Sequence, residues 1–470
     1  KLGTTLGGTD LVYQAATVGI HNHTFIAPAG GTVYLECSVI QVIAFGVTGY
    51  YDNISMQDLT GSTFEVSTPY TEAELFEVMY AQSNDFMWFA HRNHPPQTLI
   101  RNSPTSFSMA DAVINRGPYY DLNQDVSYKA AFTGGTTWDY GDTGQIQATL
   151  GIFAAADVGD HFLIYNDSDV TEFAEAVITG YSSATLVNCT FLTTVPAGCR
   201  SYNVLWARQC ISHRYGYPSA VVFHDQRLVY GGVGESDLSQ NVFGSTVGDF
   251  RSFHAGPNDD DHFNFRLASA KQNAIYIMAV KHDLIIGTLS NEWAMRGGGL
   301  EDPITPSNVV TRAHRSEGCR RLMPEEANDI IAFVQRSGHK IIGLDYDEDN
   351  RMIFTSDLML LAEHLTATDI VRQLSYQSER DSIMWAVTDG GKLLGMTYDK
   401  EQNILAWHQH TTGASGLFKS IATIPTNDAD QTWVVVQREI NGSTVQYIEY
   451  LDEKDWRVDD TPNHVDAGIE

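Results

Sequence analysis

Apolar and polar positions alternate along this chain in short runs that break at tight turns. The clearest case, Ile383–Gly413, reads IMWAVTDGGKLLGMTYDKEQNILAWHQHTTG: strand, Asp-Gly-Gly turn, strand, turn, strand. Alternation with period two predicts half-buried strands, and Asp-Gly or Asn-Gly supplies the positive φ that two-residue turns require. The same script recurs from Asp85 (Asn-His-Pro-Pro turn), Gln226, His282 (turn at Ser290-Asn291), Asn328 (Ser337-Gly338), Asp381 and Gln431 (Asn441-Gly442). The last five hairpins start 56, 46, 53 and 50 residues apart. A hairpin plus one or two further strands every ~40–50 residues is the spacing of propeller blades. Such small sheets bury their faces only by stacking on one another around an axis.

Helical patterning is confined to YTEAELFEVMYAQS (Tyr70–Ser83), where a Thr71-to-Glu74 capping box predicts a helix start. MPEEANDII, from Met323, predicts a short turn. Between Gly117 and Arg214 the blade rhythm lapses while strand-like runs continue, as in GDHFLIYN and EFAEAVITGYSSATLVNCTFL. The expected fold is therefore all-β: a β-propeller with an inserted β domain and an N-terminal β-rich segment. The expected organisation is 1–66 as a platform or partial blade, 67–116 as the first blade and 117–214 as the insertion. Residues 215–455 are the remaining blades and 456–470 a tail.

Charge narrows the function classes. The 470 residues carry 58 Asp and Glu against 29 Lys and Arg, a formal net charge of −29. Such a surface disfavours a protein that grips nucleic-acid phosphates or anionic membrane, but suits one past which DNA slides. No apolar run reaches ~18 residues, so no membrane span is expected. The start lacks the apolar core of a signal peptide, and Lys1 reads as the first residue of a processed or incompletely read product. Cys37, Cys189, Cys199, Cys210 and Cys319 form no CxxC, and at most one bridge among Cys189, Cys199 and Cys210 is a candidate.

Candidate chemistry is sparse. His21 and His23, and His408 and His410, sit at two-residue spacing, which puts both rings on one strand face; the simpler reading is a wet strand surface. Asn258–His262 (NDDDH) and Asp345–Asn350 (DYDEDN) are acidic loops, and the second alternates carboxylates as calcium loops do without completing an EF-hand. Asp249, Asp283, Glu292 and Asp399 are candidates for the facing carboxylate pair of a glycosidase. No P-loop, GxSxG, HExxH or dinucleotide fingerprint occurs. No catalytic residue, metal or cofactor is expected.

Longer segments carry a resemblance. TPYTEAELFEVMYAQSNDFMWFAHRNHPPQTLIR (Thr68–Arg101) resembles a recurring segment of tailed-bacteriophage stabilisation or tail nozzle proteins. The pattern falls on Tyr70, Leu75, Tyr80, Gln82, Ser83, Asp85, His91, Pro95, Pro96 and Arg101. A second block matches on Gly216, Tyr217, Pro218, Gln226, Arg227, Leu228, Gly244, Ser245, Gly248, Asp249, Phe250 and Phe253. Further blocks occur in the same order through EINGSTVQYIEYL, so the likeness spans roughly 68–452 and is weakest inside the insertion. Those proteins carry a longer leading region with an Arg-Pro-Gly turn, and no such turn is found ahead of the Tyr70 block here. The resemblance implies a structural virion protein of the phage tail, similar to tail tubular protein B. In such proteins six copies form a distal tube that retains the genome and conducts it during ejection. The implied partners are other copies of the chain in a homohexamer, the adaptor that joins the tail to the portal, and tail fibres or spikes. DNA passes without specific binding. Gate loops would meet at the axis; the candidates are Gly231–Ser239, Gly256–Asp261 and Gly297–Pro303, with Glu235, Asp237, Asp259, Asp260, Asp261, Glu301 and Asp302. The alternatives are a receptor- or glycan-binding tail propeller and a glycoside-cleaving tail enzyme.

Overall fold

A computed structural model describes residues 66–451, apart from 105, 235–236, 255, 257, 270–272, 300–301, 348–351, 380, 400–401, 403, 413–415, 427–428 and 441. It also describes one short pair, β1 (Leu2–Gly3) with β2 (Tyr34–Leu35). The chain divides into two compact units, 1–61 with 467–470, and 62–466.

The larger unit is a propeller, built from successive antiparallel meanders. The first sheet holds β3 (Met79–Ser83), β4 (Phe86–His91), β5 (His94–Ser103) and β6 (Ser106–Asp111). A six-stranded sheet comes next, β7 (Ala130–Thr133) to β12 (Trp206–Arg208), with β8 Thr143–Ala148, β9 His161–Asn166, β10 Asp169–Ser183 and β11 Leu186–Phe191. The chain then returns to four-stranded sheets. The first of these is β13 (Pro218–His224), β14 (Arg227–Val233), β15 (Asn241–Gly244) and β16 (Phe263–Arg266). The next is β17 (Ile275–Val280), β18 (Leu284–Thr288), β19 (Glu292–Arg296) and β20 (Val310–Arg315). After it come β21 (Glu325–Ala327), β22 (Ile330–Val334), β23 (Ile341–Asp347) and β24 (Met352–Asp357). The last two sheets are β25 (Val371–Gln377), β26 (Ile383–Thr388), β27 (Leu393–Asp399) and β28 (Ile404–His410), and the three-stranded β29 (Leu417–Pro425), β30 (Asp430–Ile440) and β31 (Ser443–Tyr450).

Burial explains the sequence rhythm. The second strands β14, β18 and β22 are buried along their whole length, covered on both faces by neighbouring sheets, and read as unbroken apolar runs such as IIAFV. Outer strands β6 and β28 are largely exposed and carry more polar residues. First strands of neighbouring sheets lie against one another: β3 on β13, β13 on β17, β21 on β25, β25 on β29. These inner strands converge, since Arg372 of β25 stacks 4.0 Å over the ring of Phe76, just ahead of β3. One apolar core runs through the first four propeller sheets, and the six-stranded sheet has its own around Phe132, Phe162 and Phe191.

Three local expectations are corrected. Residues 70–83 are not a helix: a single 3-10 turn at Leu75–Glu77 leads into β3. Only half of the Thr71–Glu74 box forms, the Glu74 carboxylate accepting the Thr71 amide while the Glu74 amide bonds the Thr71 carbonyl, and the residues beyond it pair with β4, Met79 opposite Ala90 and Ala81 opposite Trp88. Ladder pairing thus overrides the local cap. MPEEANDII holds more than a turn: the first strand of a blade, β21, precedes the tight Asn328–Asp329 turn into β22. Cys189, Cys199, Cys210 and Cys319 are separate buried thiols, so no bridge joins the first three; Cys37 lies outside the described residues.

The insertion is fastened to the propeller by charge. Glu175 of β10, 1% exposed, meets Arg116 (Nε, 3.2 Å) on the connecting segment and His254 (Nδ1, 3.2 Å) on the β15–β16 connection. At the returning end, buried Asp157 accepts from Arg208 (3.0 Å) and Arg214 (2.9 Å). Inbound and outbound segments pair directly, Tyr119 opposite Gln209.

Candidate functional site

The densest set of metal-capable side chains among the described residues is Glu74, His91 and His94. The 3-10 turn presents Glu74, while His91 ends β4 and His94 begins β5, so the tight β4–β5 turn brings both rings together. One donor atom from each residue lies within 4.8 Å of the others. Glu74 Oε2 accepts from the Thr71 amide (3.0 Å) and hydroxyl (2.8 Å) and stands 3.1 Å from His94 Nε2. Its Oε1 accepts from Asn93 Nδ2 at 3.2 Å. These hydrogen bonds, led by the Thr71 amide, hold the Glu74 carboxyl well below the usual carboxylate range, so it is ionised at neutral pH. His91 is 1% exposed. Its Nδ1 accepts from the Asn93 amide at 3.3 Å, and its Nε2 has no hydrogen-bond partner among the described residues. Burial lowers the His91 pKa and favours the neutral ring. Tyr70 closes the apolar side, its ring 5.9 Å from that of His91 and 5.3 Å from that of His94. The set offers two imidazoles and one carboxylate, the donor chemistry of a divalent transition metal. The sequence holds its signal as His-x-x-His across a hairpin turn, but the Glu74 contribution is hidden inside a capping box.

The sequence-predicted residues lie elsewhere. Asp259, Asp260 and Asp261 are on the β15–β16 connection and Asp302 on the β19–β20 connection, at the same edge of adjacent sheets, where Ser307 donates to Asp259 (3.2 Å). Asp237 is on the β14–β15 connection, at the opposite edge, and accepts from Tyr120 at 3.4 Å. Glu235 and Glu301 lie outside the described residues. One chain thus brings together Asp259–Asp261 with the Asp302 loop, and does not bring Asp237 to them. Fully buried Arg227 clamps the first loop through the carbonyls of Ser245 (2.5 Å), Asp259 (2.6 Å), Asp260 (3.2 Å) and Asp261 (2.6 Å). Asp302 accepts from the Gly299 amide (2.8 Å) and Asn308 (3.2 Å) within its own turn.

The other candidates have structural occupations. His408 and His410 do share a face, 5.0 Å ring to ring, packed on Trp385. His21 and His23 lie outside the described residues, as does part of Asp345–Asn350. Asp283 is buried against Tyr346 Oη (2.6 Å) and Arg296 (3.8 Å), and buried Glu292 accepts the amides of Glu317 (3.1 Å) and Gly318 (2.8 Å). They flank opposite ends of the β18–β19 hairpin, roughly 13 Å apart at the ordinary strand rise. That exceeds the ~5–9.5 Å of a glycosidase pair. Asp249 and Asp399 accept local amides, from Arg251 (3.1 Å) and Gln402 (2.9 Å).

No protein-family model and no curated relative matches the sequence. Among solved structures, the chain is similar to a luciferin-regenerating enzyme (10% identity, TM-score 0.26, 77% of this chain and 85% of that one). It is likewise similar to a putative 6-phosphogluconolactonase from Bacteroides fragilis (10%, 0.30, 71% and 100%). A protein from Lactobacillus plantarum matches at 9% identity and TM-score 0.31, over 62% and 81%. At these scores the likenesses carry no argument about activity, and the propeller assignment rests on the sheet order itself.

Proposed function

We propose that this chain is a non-enzymatic structural subunit of a bacteriophage tail nozzle. Six copies would close into a tube that holds the genome back and then conducts it. The observation that carries the reading is the ordered run of segments resembling tail nozzle proteins. Thr68–Arg101 falls on the first sheet, Gly216–Phe253 on the sheet after the insertion, and the later blocks on successive sheets. The net charge of −29 supports it: a wall that repels phosphate avoids the counterion release by which cationic surfaces grip DNA. Repulsion decays over ~10 Å at 0.1 M salt, so only carboxylates facing the lumen act on the passing duplex. A closed ring of six is a heterologous assembly, and each subunit offers two different complementary patches. Adaptor, fibres and virion location belong to the same reading.

Electron microscopy of the purified chain at assembly concentration tests this. Rings of six with an axial channel are the expected result. Particles that stay solitary and bind or cleave host polysaccharide would replace the nozzle with the glycan-binding or glycoside-cleaving alternative.

A further inference from the structure

We propose that Glu74, His91 and His94 form a binding site for one divalent transition-metal ion of zinc type. The ion fastens the segment ahead of the first inner strand to the β4–β5 turn. This inference is independent of the nozzle reading. Two observations carry it. First, three donor groups from separate stretches of chain converge within 4.8 Å. Second, His91, sealed in the core, has an Nε2 that finds no protein partner among the described residues; ligation there places the ring proton on Nδ1 and gives up the long 3.3 Å bond from the Asn93 amide.

The spacing suits a small ion. Arms of ~2.0–2.1 Å in tetrahedral geometry hold adjacent donors about 3.3 Å apart. Glu74 Oε2 and His94 Nε2 already stand 3.1 Å apart, so a metal replaces the proton they share with little movement. The third donor lies within 4.8 Å of the other two, so a shift of at most about 1.5 Å brings it to the ~3.3 Å tetrahedral separation. The surroundings orient the ligands as metal sites require: Thr71 and Asn93 fix the carboxylate, and Tyr70 packs against both rings. Glu74 and His94 keep 21% of their side-chain surface, which leaves a path for the ion and a fourth position for water. A calcium or magnesium ion is disfavoured, because two of the three donors are nitrogens.

The test uses the full chain, stripped with chelator and titrated with Co²⁺ and Zn²⁺. Expected are one equivalent bound, the visible absorption of a four-coordinate cobalt–imidazole centre, and a melting temperature that rises with Zn²⁺ and falls back with chelator. H91Q risks the fold, so the decisive variants are H94Q and E74Q at the half-buried positions. Each should weaken Co²⁺ binding by at least about tenfold, the loss typical of removing even an outer-shell partner. The double variants H21Q/H23Q and H408Q/H410Q should bind as the parent does. No cobalt absorption, binding unchanged in H94Q and E74Q, or binding lost only in a control variant would each overturn the proposal.

Discussion

Replacing Arg227 by methionine keeps the aliphatic bulk of a fully buried side chain and removes its guanidinium. Four carbonyls then lose a donor: Ser245, Asp259, Asp260 and Asp261. Asp259 and Asp260 sit in exposed loop and can turn to water, so their share of the loss is small. Ser245 and Asp261 are buried, and each stranded acceptor there costs roughly 1–3 kcal/mol. The sum is about 4 kcal/mol. Unfolding entropy of ~2.1 cal/mol/K per residue over the unit 62–466 converts this to a melting temperature lower by about 5 °C. Calorimetry reads the shift, and hydrogen exchange should show lost protection confined to peptides from 245–262. Lysine at this position restores charge with fewer donors and should recover about half of the loss. A methionine variant that melts within about 1 °C of the parent, with the loop equally protected, would show that the clamp does not hold this connection in place.

The same geometry carries other expected outcomes. Substituting Glu175 by alanine strands Arg116 and His254 at the insertion–propeller junction. It should destabilise docking by roughly 3 kcal/mol and open residues 112–118 to limited proteolysis, with the propeller sheets still intact. Burial pushes the Glu325 carboxyl up to about 7, and burial together with the charge of Asp157 does the same to Asp160. The unfolded chain releases these protons near pH 4 and the folded chain only near 7, so both groups make stability fall as pH rises from about 4 to 7. E325Q should flatten that slope and raise the melting temperature at pH 7.5; an unchanged profile would refute the assignment. Gly117 has φ +56° and a Cβ there would lie 2.5 Å from the Phe253 carbonyl oxygen. G117A should therefore lower stability, whereas alanine at Gly141, whose Cβ would meet nothing within 4 Å, should be limited to the milder strain of its positive φ.

The middle of each blade was legible in the sequence. The hairpins predicted from His282, Asn328, Asp381 and Gln431 are the second and third strands of four successive sheets, the first three with turns at the anticipated residues, while Asn441 of the fourth turn lies outside the described residues. β18, β22 and β26 are buried almost throughout, β30 is buried at alternate positions, and all are joined tightly to the next strand, so pattern and turn chemistry agree. The Gln226 hairpin pairs β14 with β15 as expected, but the partner strand before it, β13, was hidden. First strands were harder to find; β21 is only three residues, two of them Glu. The helix expected over Tyr70–Ser83 does not form because a capping box marks a single turn and says nothing about how far the helix runs beyond it. The Glu74–His91–His94 set could not be assembled by spacing alone. Its carboxylate reaches the rings only through the register of β3 on β4 and β4 on β5.

The pairing of Tyr119 with Gln209 has an evolutionary reading. Because the two ends of the six-stranded module leave the propeller side by side, the wheel experiences ninety-odd extra residues as a single surface hairpin. Such a socket lets the graft be lengthened, trimmed or traded for another without altering the spacing of the blades on either side. Diversity between related chains should therefore accumulate there first.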